Sequence, residues 1–582
     1  MRTDTTTDHF PQDGISPAAG APRRAEATLR ALFLDYVAQA PDAPAIHGYA
    51  AGATSVVHSR AGLLAAAAGV ARCAIEHDVR AGDRVLIALE DPVEFATAFW
   101  GAQLCGTVAV PLAPIVEAQP STGDFAKRVQ EICGARLLLS RGDGLGNAAG
   151  LKVASPSQWS GCDVEDKLQP DPEAEEPAVI QFTSGSTSEP KGCVLTNRAV
   201  SSNARSILRR TRTTPLDTGV CWLPLHHDMG LMSGVVTPVL GGAATCLFPT
   251  SRFLANPIGW LTALAAFRRS HTAVPNFALA VVLQRLSRRR PEGLDLSGVQ
   301  TILCGAEPID VPLVRDFLGA CAPYGLRPEA FHAAYGMSET TVMATSKPGG
   351  LRLDEVDTEA LQVRGLAAAP LAGAPTTALA NVGAPPDDGA VRIVSDAGEP
   401  LPDRTVGHIQ LRSSGQMSGY LDDPESTRAA FENGWLKTGD LGYLAAGDLF
   451  VTGRLNERII VGGRNLAPSD LELAVTRLVQ LPPGRVAALG RRTPLGTQEI
   501  VLVVETRDAG SAGLRAAVAR ACFEACGLAP GAVELVDRGA LPRTSSGKIR
   551  RLELQARFAD PSSSGGRAES ESDRRRSTVS DI

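Results

Sequence analysis

The segment Thr183–Cys193, with the sequence TSGSTSEPKGC, most constrains what this chain can fold into. It follows a short β-like run, Ala178–Phe182, and precedes a helix-like stretch after Thr196. Its hydroxyls can donate hydrogen bonds, its glycines allow close backbone approach, and its lysine adds positive charge. A Ser/Gly-rich linker is the alternative interpretation. The segment predicts a nucleoside triphosphate site that uses Thr183, Ser184, Gly185, Ser186, Thr187, Lys191 and Gly192.

Length and charge narrow the classes of function. A chain of 582 residues is too long for one compact core, so we expect at least two domains. The net charge of -6 gives no broad attraction for nucleic acid or an anionic membrane, which favours a small-molecule substrate. Eleven cysteines occur without a Cys-x-x-Cys pair, and the N-terminus lacks the apolar core of a signal peptide. We expect a cytoplasmic protein without stable membrane insertion, as a monomer or weak dimer.

Strand-like and helix-like segments alternate in the first part of the chain. Arg84–Leu89 is typical of a buried strand, Asp91 and Pro92 indicate a helix start, and Gly106 ends that helix before the strand Val108–Val110. Such βαβ units predict an α/β fold of mostly parallel sheets with helices on both faces. Further strands are expected at Arg136–Leu139 and Val299–Leu303.

The pattern changes after Arg454 to that of a small α+β domain. We expect a helix at Ser469–Val479, a strand at Glu499–Glu505, a helix at Ser511–Cys526 ended by Gly527, and a strand at Ala532–Val536. The predicted organisation is a disordered N-terminus (1–25), a large domain (26–453), a small domain (454–558) and a disordered tail (559–582), because the tail contains almost no apolar residues.

Four further segments carry groups that suit a nucleotide. In Phe331–Thr341, Tyr335 can stack on adenine, Glu339 can bind Mg²⁺, and Ser338 or Thr340 can reach the α-phosphate. Asp440 lies in an apparent Gly-flanked turn and can accept hydrogen bonds from ribose, although a solvated turn aspartate is the alternative. Arg454 can touch the nucleotide, with Asn456 at a plausible hinge. Lys548, on a Ser/Gly loop, can stabilise charge at an attacked phosphate.

In this order, the five segments resemble the adenylate-forming superfamily of acyl-CoA synthetases, luciferases and nonribosomal adenylation domains, over residues 30 to 558. The resemblance implies an enzyme that uses ATP and Mg²⁺ to form an acyl-adenylate and then passes the acyl group to a thiol. It implies a large domain that also contains a small β-barrel-like part, and a mobile C-terminal domain that brings Lys548 to the site. It adds Gly305, Ala306, Glu307 and Gly336 to the expected nucleotide site. Asn456 departs from the Asp or Lys usual at the hinge.

Other segments resemble the fatty acyl-AMP ligase branch of that superfamily, which feeds carrier proteins. They are Cys221–Leu231, Thr272–Phe277, Cys304–Pro308, Val461–Pro468 and an inserted stretch, Leu351–Leu361, of a kind that hinders closure for coenzyme A transfer. The implied partners are a fatty or related carboxylic acid and a separate acyl carrier protein. The residues expected to bind the acyl group are His226, Asp228, Met229, Gly230, Met232, Asn276 and Phe277.

Three alternatives remain open at this point. Tyr335–Thr340 is more similar to coenzyme A synthetases, so coenzyme A is the other candidate acceptor. Asp228 can pair with the amino group of an amino-acid substrate, although its surroundings match the fatty acyl pattern. The third alternative is a catalytically silent nucleotide-binding scaffold. Such a protein would be expected to have lost the charged residues that serve only chemistry, whereas this chain retains Lys191, Glu339 and Lys548.

Overall fold

The computed structural model describes residues 27–50, 52–114, 120–142, 151–159, 170–183, 190–482, 484–493, 497–543 and 549–558. The strands are β1 (Pro44–Ala50), β2 (Ala53–Ser59), β3 (Arg84–Ala88), β4 (Val108–Pro111), β5 (Leu137–Ser140), β6 (Lys152–Ala154), β7 (Pro177–Thr183), β8 (Lys191–Thr196), β9 (Thr218–Cys221), β10 (Ala244–Leu247), β11 (Ser270–Val274), β12 (Val299–Cys304), β13 (Phe331–Tyr335), β14 (Thr345–Lys347), β15 (Leu353–Asp357), β16 (Thr376–Ala380), β17 (Ala390–Val394), β18 (Gly407–Arg412), β19 (Gly419–Tyr420), β20 (Phe431–Glu432), β21 (Trp435–Ala445), β22 (Asp448–Arg454), β23 (Ile459–Val461), β24 (Arg464–Leu466), β25 (Val486–Arg492), β26 (Gln498–Thr506) and β27 (Ala532–Asp537).

The α-helices are α1 (Leu29–Gln39), α2 (Arg60–Glu76), α3 (Pro92–Leu104), α4 (Pro120–Cys133), α5 (Asn197–Thr211), α6 (Asp228–Leu231), α7 (Thr237–Leu240), α8 (Thr250–Ala255), α9 (Ile258–Ala265), α10 (Asn276–Leu286), α11 (Val311–Cys321), α12 (Thr358–Arg364), α13 (Pro424–Ala430), α14 (Pro468–Leu478), α15 (Ala512–Cys526) and α16 (Arg551–Phe558). Among the described helices, none is long and apolar enough to cross a membrane.

A seven-stranded sheet, ordered β19-β8-β7-β4-β3-β5-β6, is buried on both faces. Along β3, Val85 and Ile87 belong to the main apolar core, whereas Leu86 and Ala88 pack in a second cluster with residues of α4. Strands β7, β4, β3, β5 and β6 are parallel neighbours. A sheet with helices on both faces needs apolar side chains in both directions, which explains the continuous apolar run of β3.

An eight-stranded sheet, ordered β14-β13-β12-β11-β9-β10-β1-β2, forms the second layered unit. Its six inner strands, β13 to β1, are parallel, and the two edge pairs are antiparallel. Because β13, β12, β11 and β9 are parallel neighbours, the loops that follow their carboxyl ends lie at one edge of the sheet. This edge carries most of the predicted site residues.

Two antiparallel regions complete the large part of the chain. Strands β17, β18, β21, β20 and β22 form a five-stranded sheet, which corresponds to the expected β-barrel-like part. The inserted stretch Leu351–Leu361 contains β15 and the first residues of the helix α12, and β15 pairs with β16 further along the chain. Asn465 on β24 donates a hydrogen bond from Nδ2 to the carbonyl of Gln362 on α12, at 3.1 Å.

The C-terminal segment has its own apolar cluster, made of residues between Ile459 and Leu535. It packs α14 and α15 against the sheet β25-β26-β27. Ser511 caps α15 through a bond to the backbone of Leu514, and Gly527 ends it with φ +71°. This cluster is consistent with a boundary near residue 454, and that boundary remains a prediction.

The sequence-based α/β fold is confirmed, and its four expected C-terminal elements are present as α14, β26, α15 and β27. The last residues of the predicted phosphate-binding segment Thr183–Cys193 belong to a strand, β8, which begins at Lys191 and runs to Thr196. One expectation needs correction. Asp440 lies within β21 rather than in a turn. The N-terminus (1–25) and the tail (559–582), both expected to be disordered, lie outside the described residues.

We expect Gly383→Ala to lower the free energy of unfolding of the part of the chain that precedes residue 454. A Cβ at Gly383, where φ is +79°, would lie 2.0 Å from the carbonyl oxygen of Ser346, so the backbone must move. Gly349 is the control, because its φ is +88° but a Cβ there meets nothing within 4 Å. Left-handed strain alone should cost Gly349→Ala about 1 kcal/mol, and Gly383→Ala should cost roughly 3 kcal/mol or more.

Urea unfolding followed by tryptophan fluorescence measures both effects, because all five tryptophans precede residue 454. Equal losses of unfolding free energy in the two variants would contradict the close contact at Gly383.

Candidate functional site

The loops at the carboxyl ends of β9, β11, β12 and β13 bring distant parts of the sequence together. The loop after β9 leads to His226 and Asp228, and α10 begins at Asn276 just after β11. Gly305 follows β12, and Gly336 follows β13. These residues were predicted separately and lie along one edge of the sheet, which is where open α/β sheets bind ligands.

A tight turn after β13 presents Glu339. Gly336 is required here because a Cβ would lie 1.7 Å from the carbonyl oxygen of Val342. Thr341 has φ +65°, a left-handed conformation that is strained for a β-branched residue. Its hydroxyl donates to the carbonyl of Gly415 at 2.8 Å, which helps to hold the turn.

Thr340 does not present its hydroxyl to a ligand. The residue is 1% exposed, and Oγ1 donates to the carbonyl of Met337 at 2.9 Å. The hydroxyl of Thr340 is thus used within the turn, and contact with an α-phosphate stays a prediction. Ser338, the other candidate, donates from Oγ to Asp228 Oδ2 at 2.7 Å and joins the loops after β9 and β13.

Glu339 and Lys191 meet around a residue that the sequence interpretation missed. Tyr420 donates from its hydroxyl to Glu339 Oε1 at 2.9 Å, and Lys191 Nζ lies over the Tyr420 ring, 5.3 Å from its centre. Lys191 also donates to the hydroxyl of Ser426 at 2.7 Å. Tyr420 is 81 residues from Glu339 in the chain, so no local pattern indicates this contact.

Asp440 is the centre of a second cluster. Oδ2 accepts a hydrogen bond from the Tyr335 hydroxyl at 2.6 Å, and Arg454 Nε lies 3.1 Å from Oδ1. Burial raises the pKa of Asp440, while Arg454 and Tyr335 oppose that rise. Burial and then Asp440 raise the pKa of Tyr335 well above its usual value, so the phenol donates and the carboxylate accepts.

A β-bulge gives Asp440 its direction. Thr438, Gly439 and Asp440 oppose the single residue Ile409 of β18, and Gly439 has φ +74°. The Thr438 hydroxyl donates to the carbonyl of Ile409 at 2.9 Å and accepts from the Asp440 backbone at 3.0 Å. Bulges near functional sites redirect side chains, and this one turns the carboxylate towards Tyr335.

His226 presents a buried nitrogen to the site. Its Nε2 has no hydrogen-bond partner among the described residues, and neither has Oε1 of Gln181, whose Nε2 donates to the His226 carbonyl at 2.7 Å. Burial and then the neighbouring His227 lower the pKa of His226 well below its usual value. A neutral imidazole with an unused nitrogen can donate to or accept from a ligand.

The segment after Asp228 packs too closely for larger residues. A Cβ at Gly230 would lie 2.1 Å from the carbonyl oxygen of Pro224, so its predicted role is in part a requirement of packing. The helix continues through one π-helical turn, Met232–Val236, a feature often found at functional sites. Met229 is half-buried, whereas Met232 is 2% exposed and belongs to the core.

The Asn276 amide holds a neighbouring loop. Nδ2 donates to the carbonyl of Pro308 at 2.5 Å, and Oδ1 accepts from the backbone of Asp310 at 3.3 Å. Asn276 therefore holds the segment that directly follows the Gly305–Glu307 loop, and its contact with an acyl chain stays a prediction. Phe277 is half-buried with its ring edge-on to Trp222 at 6.0 Å, which leaves it a candidate for an apolar wall.

The Gly305–Glu307 loop is shaped by its backbone. A Cβ at Gly305 would lie 2.8 Å from the carbonyl of Ala334, and Ala306 has φ +70°. The Glu307 carboxylate accepts from the backbone of Phe277 at 3.3 Å. The loop is thus fixed against both β13 and α10.

Part of the predicted site lies outside the described residues, namely Ser184, Gly185, Ser186, Thr187 and Lys548. Thr183 ends β7 opposite Lys191 at the start of β8, so a hairpin frames the phosphate-loop segment. Gly192 is buried, and a Cβ there would lie 2.8 Å from Ile180 Cγ2. Gly192 is therefore required for packing within the hairpin.

Comparison with known proteins identifies the family. The family model described as AMP-binding enzyme matches residues 33–421. The chain belongs to the AMP-binding enzyme family. Two members from Mycobacterium tuberculosis are similar to it. The long-chain-fatty-acid AMP ligase FadD28 is 31% identical over 513 residues, covering 81% of this chain and 87% of the relative. FadD26, which has the same description, is 31% identical over 518 residues, covering 82% of this chain and 87% of the relative.

A solved structure from a study of fatty acyl-adenylate ligases of E. coli and L. pneumophila has a TM-score of 0.83 and 30% identity. It covers 92% of this chain and 98% of that chain. An adenylation and carrier-protein structure with phenylalanyl-adenylate, McyG, has a TM-score of 0.80 at 23% identity and shows the shared fold. The predicted membership of the adenylate-forming family, and the resemblance to its fatty acyl-AMP ligases, are confirmed.

Removing the cation beside Asp440 should make stability depend more strongly on pH. Arg454→Met leaves a buried carboxylate without its cation, so the Asp440 pKa should rise further. The variant should be less stable at about pH 8, and the loss should shrink towards about pH 5 as Asp440 takes up a proton. Because the Arg454 side chain is 56% exposed, we expect a loss of about 1 kcal/mol, below that of a fully buried pair.

Urea unfolding at both pH values measures this loss. The double variant Arg454→Met/Asp440→Asn is the control, and the added pH dependence should disappear in it. A loss that is the same at both pH values would contradict the assignment to Asp440.

Proposed function

We propose that this chain uses ATP and Mg²⁺ to convert a fatty or related carboxylic acid into an acyl-adenylate, and then transfers the acyl group to the phosphopantetheine thiol of a separate acyl carrier protein. The observation that carries the proposal is the convergence of charged groups from distant segments. Glu339 and Lys191 share Tyr420, and Asp440 is held by Tyr335 and Arg454. The fatty acyl-AMP ligase relatives support the choice of acid.

In the first half-reaction, a carboxylate oxygen of the acid attacks the α-phosphorus of ATP. A bond forms between that oxygen and phosphorus, the bond to the bridging oxygen of the β-phosphate breaks, and pyrophosphate leaves with the electron pair. Negative charge builds on the phosphate oxygens, and positively charged donors stabilise it. In this proposal Lys548 acts at the α-phosphate, and Lys191 acts with the hydroxyls of the phosphate-loop segment.

The residues around Glu339 fit Mg²⁺. This ion prefers oxygen ligands and is often held by one or two carboxylates together with substrate phosphates. Glu339 supplies such a carboxylate, with Oε1 oriented by Tyr420. When bound, Mg²⁺ would neutralise charge on the phosphates. We assign Glu339 to the metal, and Asp440 with Arg454 to the ribose side of the nucleotide.

The acid would occupy the region of His226, Met229 and Phe277. His226 offers a buried nitrogen that suits a carboxylate or phosphate oxygen, and Phe277 and Met229 supply apolar surface. Asp228 accepts a hydrogen bond from the Ser338 hydroxyl, which makes this carboxylate less suitable as the partner of a substrate amino group. This supports a fatty acid over an amino acid.

The second half-reaction transfers the acyl group to a thiol. The thiol loses its proton to solvent and its sulfur bonds to the acyl carbon. The bond between that carbon and the phosphate oxygen breaks, and AMP leaves with the electron pair. Asn465 of the C-terminal segment contacts Gln362 on α12, the helix that begins in the inserted stretch, and this contact favours restricted closure and therefore a carrier protein as acceptor. Transfer to coenzyme A is the second candidate, because Tyr335–Thr340 resembles coenzyme A synthetases.

We also propose a cytoplasmic monomer or weak dimer whose C-terminal domain moves about residues 454–457.

A product assay separates these functions. Labelled fatty acid is incubated with ATP and Mg²⁺, in parallel with coenzyme A and with a phosphopantetheinylated carrier protein. We expect acyl-adenylate that persists with coenzyme A but is consumed by the carrier protein. Rapid acyl-coenzyme A formation would support the synthetase instead, and no adenylate with any fatty acid would overturn the proposal.

Lys548→Ala tests the catalytic assignment in the same assay. Loss of a charge that acts on the transition state should lower adenylate formation by about 100-fold or more, while ATP binding stays measurable. Lys152→Ala is the control, because that lysine is exposed and paired with Asp78 at 2.9 Å. Adenylate formation at the unchanged rate in Lys548→Ala would show that the lysine is wrongly assigned.

A further inference from the structure

Residues 413–420 contact both the turn that carries Glu339 and the strand β8, which begins with Lys191. The Thr341 hydroxyl donates to the Gly415 carbonyl at 2.8 Å, and the Met417 backbone donates to the carbonyl of Glu339 at 2.8 Å. Strand β19, which ends this segment, pairs antiparallel with β8, so that Tyr420 lies opposite Cys193. Tyr420 is therefore placed where the phosphate-loop hairpin of one sheet meets the Glu339 turn of the other.

The Tyr420 side chain has two different contacts. Its hydroxyl donates to one oxygen of Glu339, and the face of its ring carries the Lys191 ammonium. A phenol is protonated at neutral pH, so the Tyr420 hydroxyl is the donor and the carboxylate the acceptor. An aromatic face attracts a cation by its quadrupole, which suits the position of Lys191.

We infer that Tyr420 is a positioning residue of the active site: its hydroxyl orients the Glu339 carboxylate for the metal ion, and its ring supports Lys191. The inference rests on the proposed function, in which Glu339 binds Mg²⁺ and Lys191 faces the phosphates. A hydrogen bond to one carboxylate oxygen fixes the rotation of the group and thereby the direction of its other oxygen. Such outer contacts commonly change metal affinity by about 10-fold to 100-fold.

Tyr420→Phe tests the hydroxyl because it keeps the ring. Binding of Mn²⁺, in place of Mg²⁺, is measured by electron paramagnetic resonance with the full chain and α,β-methylene-ATP, which cannot be cleaved between the α- and β-phosphates. We expect the Mn²⁺ dissociation constant to rise about tenfold. The affinity for the nucleotide analogue without metal should change by less than about twofold, because Lys191 keeps its aromatic support.

The chain contains a matched control. Tyr443 also donates to a carboxylate, Asp354 Oδ2 at 2.7 Å, and is fully buried, but it joins β21 to the inserted stretch. Tyr443→Phe removes a similar hydrogen bond and should leave Mn²⁺ affinity unchanged. A rise in the Mn²⁺ dissociation constant that is equal in Tyr420→Phe and Tyr443→Phe would overturn the inference, because it would indicate a general loss of stability.

A double-mutant cycle with Glu339→Gln separates this inference from the proposed function. If Tyr420 acts through Glu339, adding Tyr420→Phe to Glu339→Gln should change Mn²⁺ affinity by less than about twofold. Unchanged Mn²⁺ affinity in Glu339→Gln alone would overturn the metal assignment of the proposed function. A clear loss in Glu339→Gln, with additive effects or no effect of Tyr420→Phe, would overturn only the role of Tyr420.

Tyr420→Leu tests the ring. Without metal, this variant should bind the nucleotide analogue at least about threefold more weakly than Tyr420→Phe, because Lys191 loses its aromatic support. Equal affinities in Tyr420→Leu and Tyr420→Phe would overturn the part of the inference that concerns Lys191.

Discussion

The structure depends on the burial of both faces of the parallel strands at the centre of its two large sheets. A strand such as β3, with apolar side chains in both directions, has no face on which a charged group can lie exposed. The polar residues that face a ligand are therefore confined to the ends of the strands and to the loops that follow. Because β9, β11, β12 and β13 run parallel as neighbours, loops that are far apart in the sequence meet at one edge. The site follows from the sheet order.

Two tyrosines donate hydrogen bonds to the carboxylates of the site. Tyr335 donates to Asp440, and Tyr420 donates to Glu339. A phenol gives a carboxylate a hydrogen bond without adding a second charge beside it. Both tyrosines join different sheets: Tyr335 ends a parallel strand and reaches the antiparallel β21, and Tyr420 extends the hairpin sheet towards the Glu339 turn. The same hydrogen bonds thus join the sheets and place a donor beside each carboxylate.

Local signals in the sequence predict local structure well. Asp91 caps α3, and Gly527 ends α15, because each residue satisfies a helix end through its own geometry. Asp440 was placed in a turn because flanking glycines are typical of turns, whereas Gly439 here serves a bulge inside a long strand. Thr340 faces inwards and Asn276 holds a loop, and both directions depend on neighbours distant in sequence. Tyr420 was missed for the same reason.

The position of Arg454 has a mechanical consequence. It is the last residue of β22 and lies opposite Asp440, and the chain leaves the sheet directly after it, through a short turn at residues 455–457. A force on the C-terminal segment is thus transmitted first to a strand that is bonded along its length to β21. In the motion that we propose about residues 454–457, the axis of rotation lies beside the Asp440 carboxylate. A small rotation there would move the far end of the C-terminal segment over a much longer path.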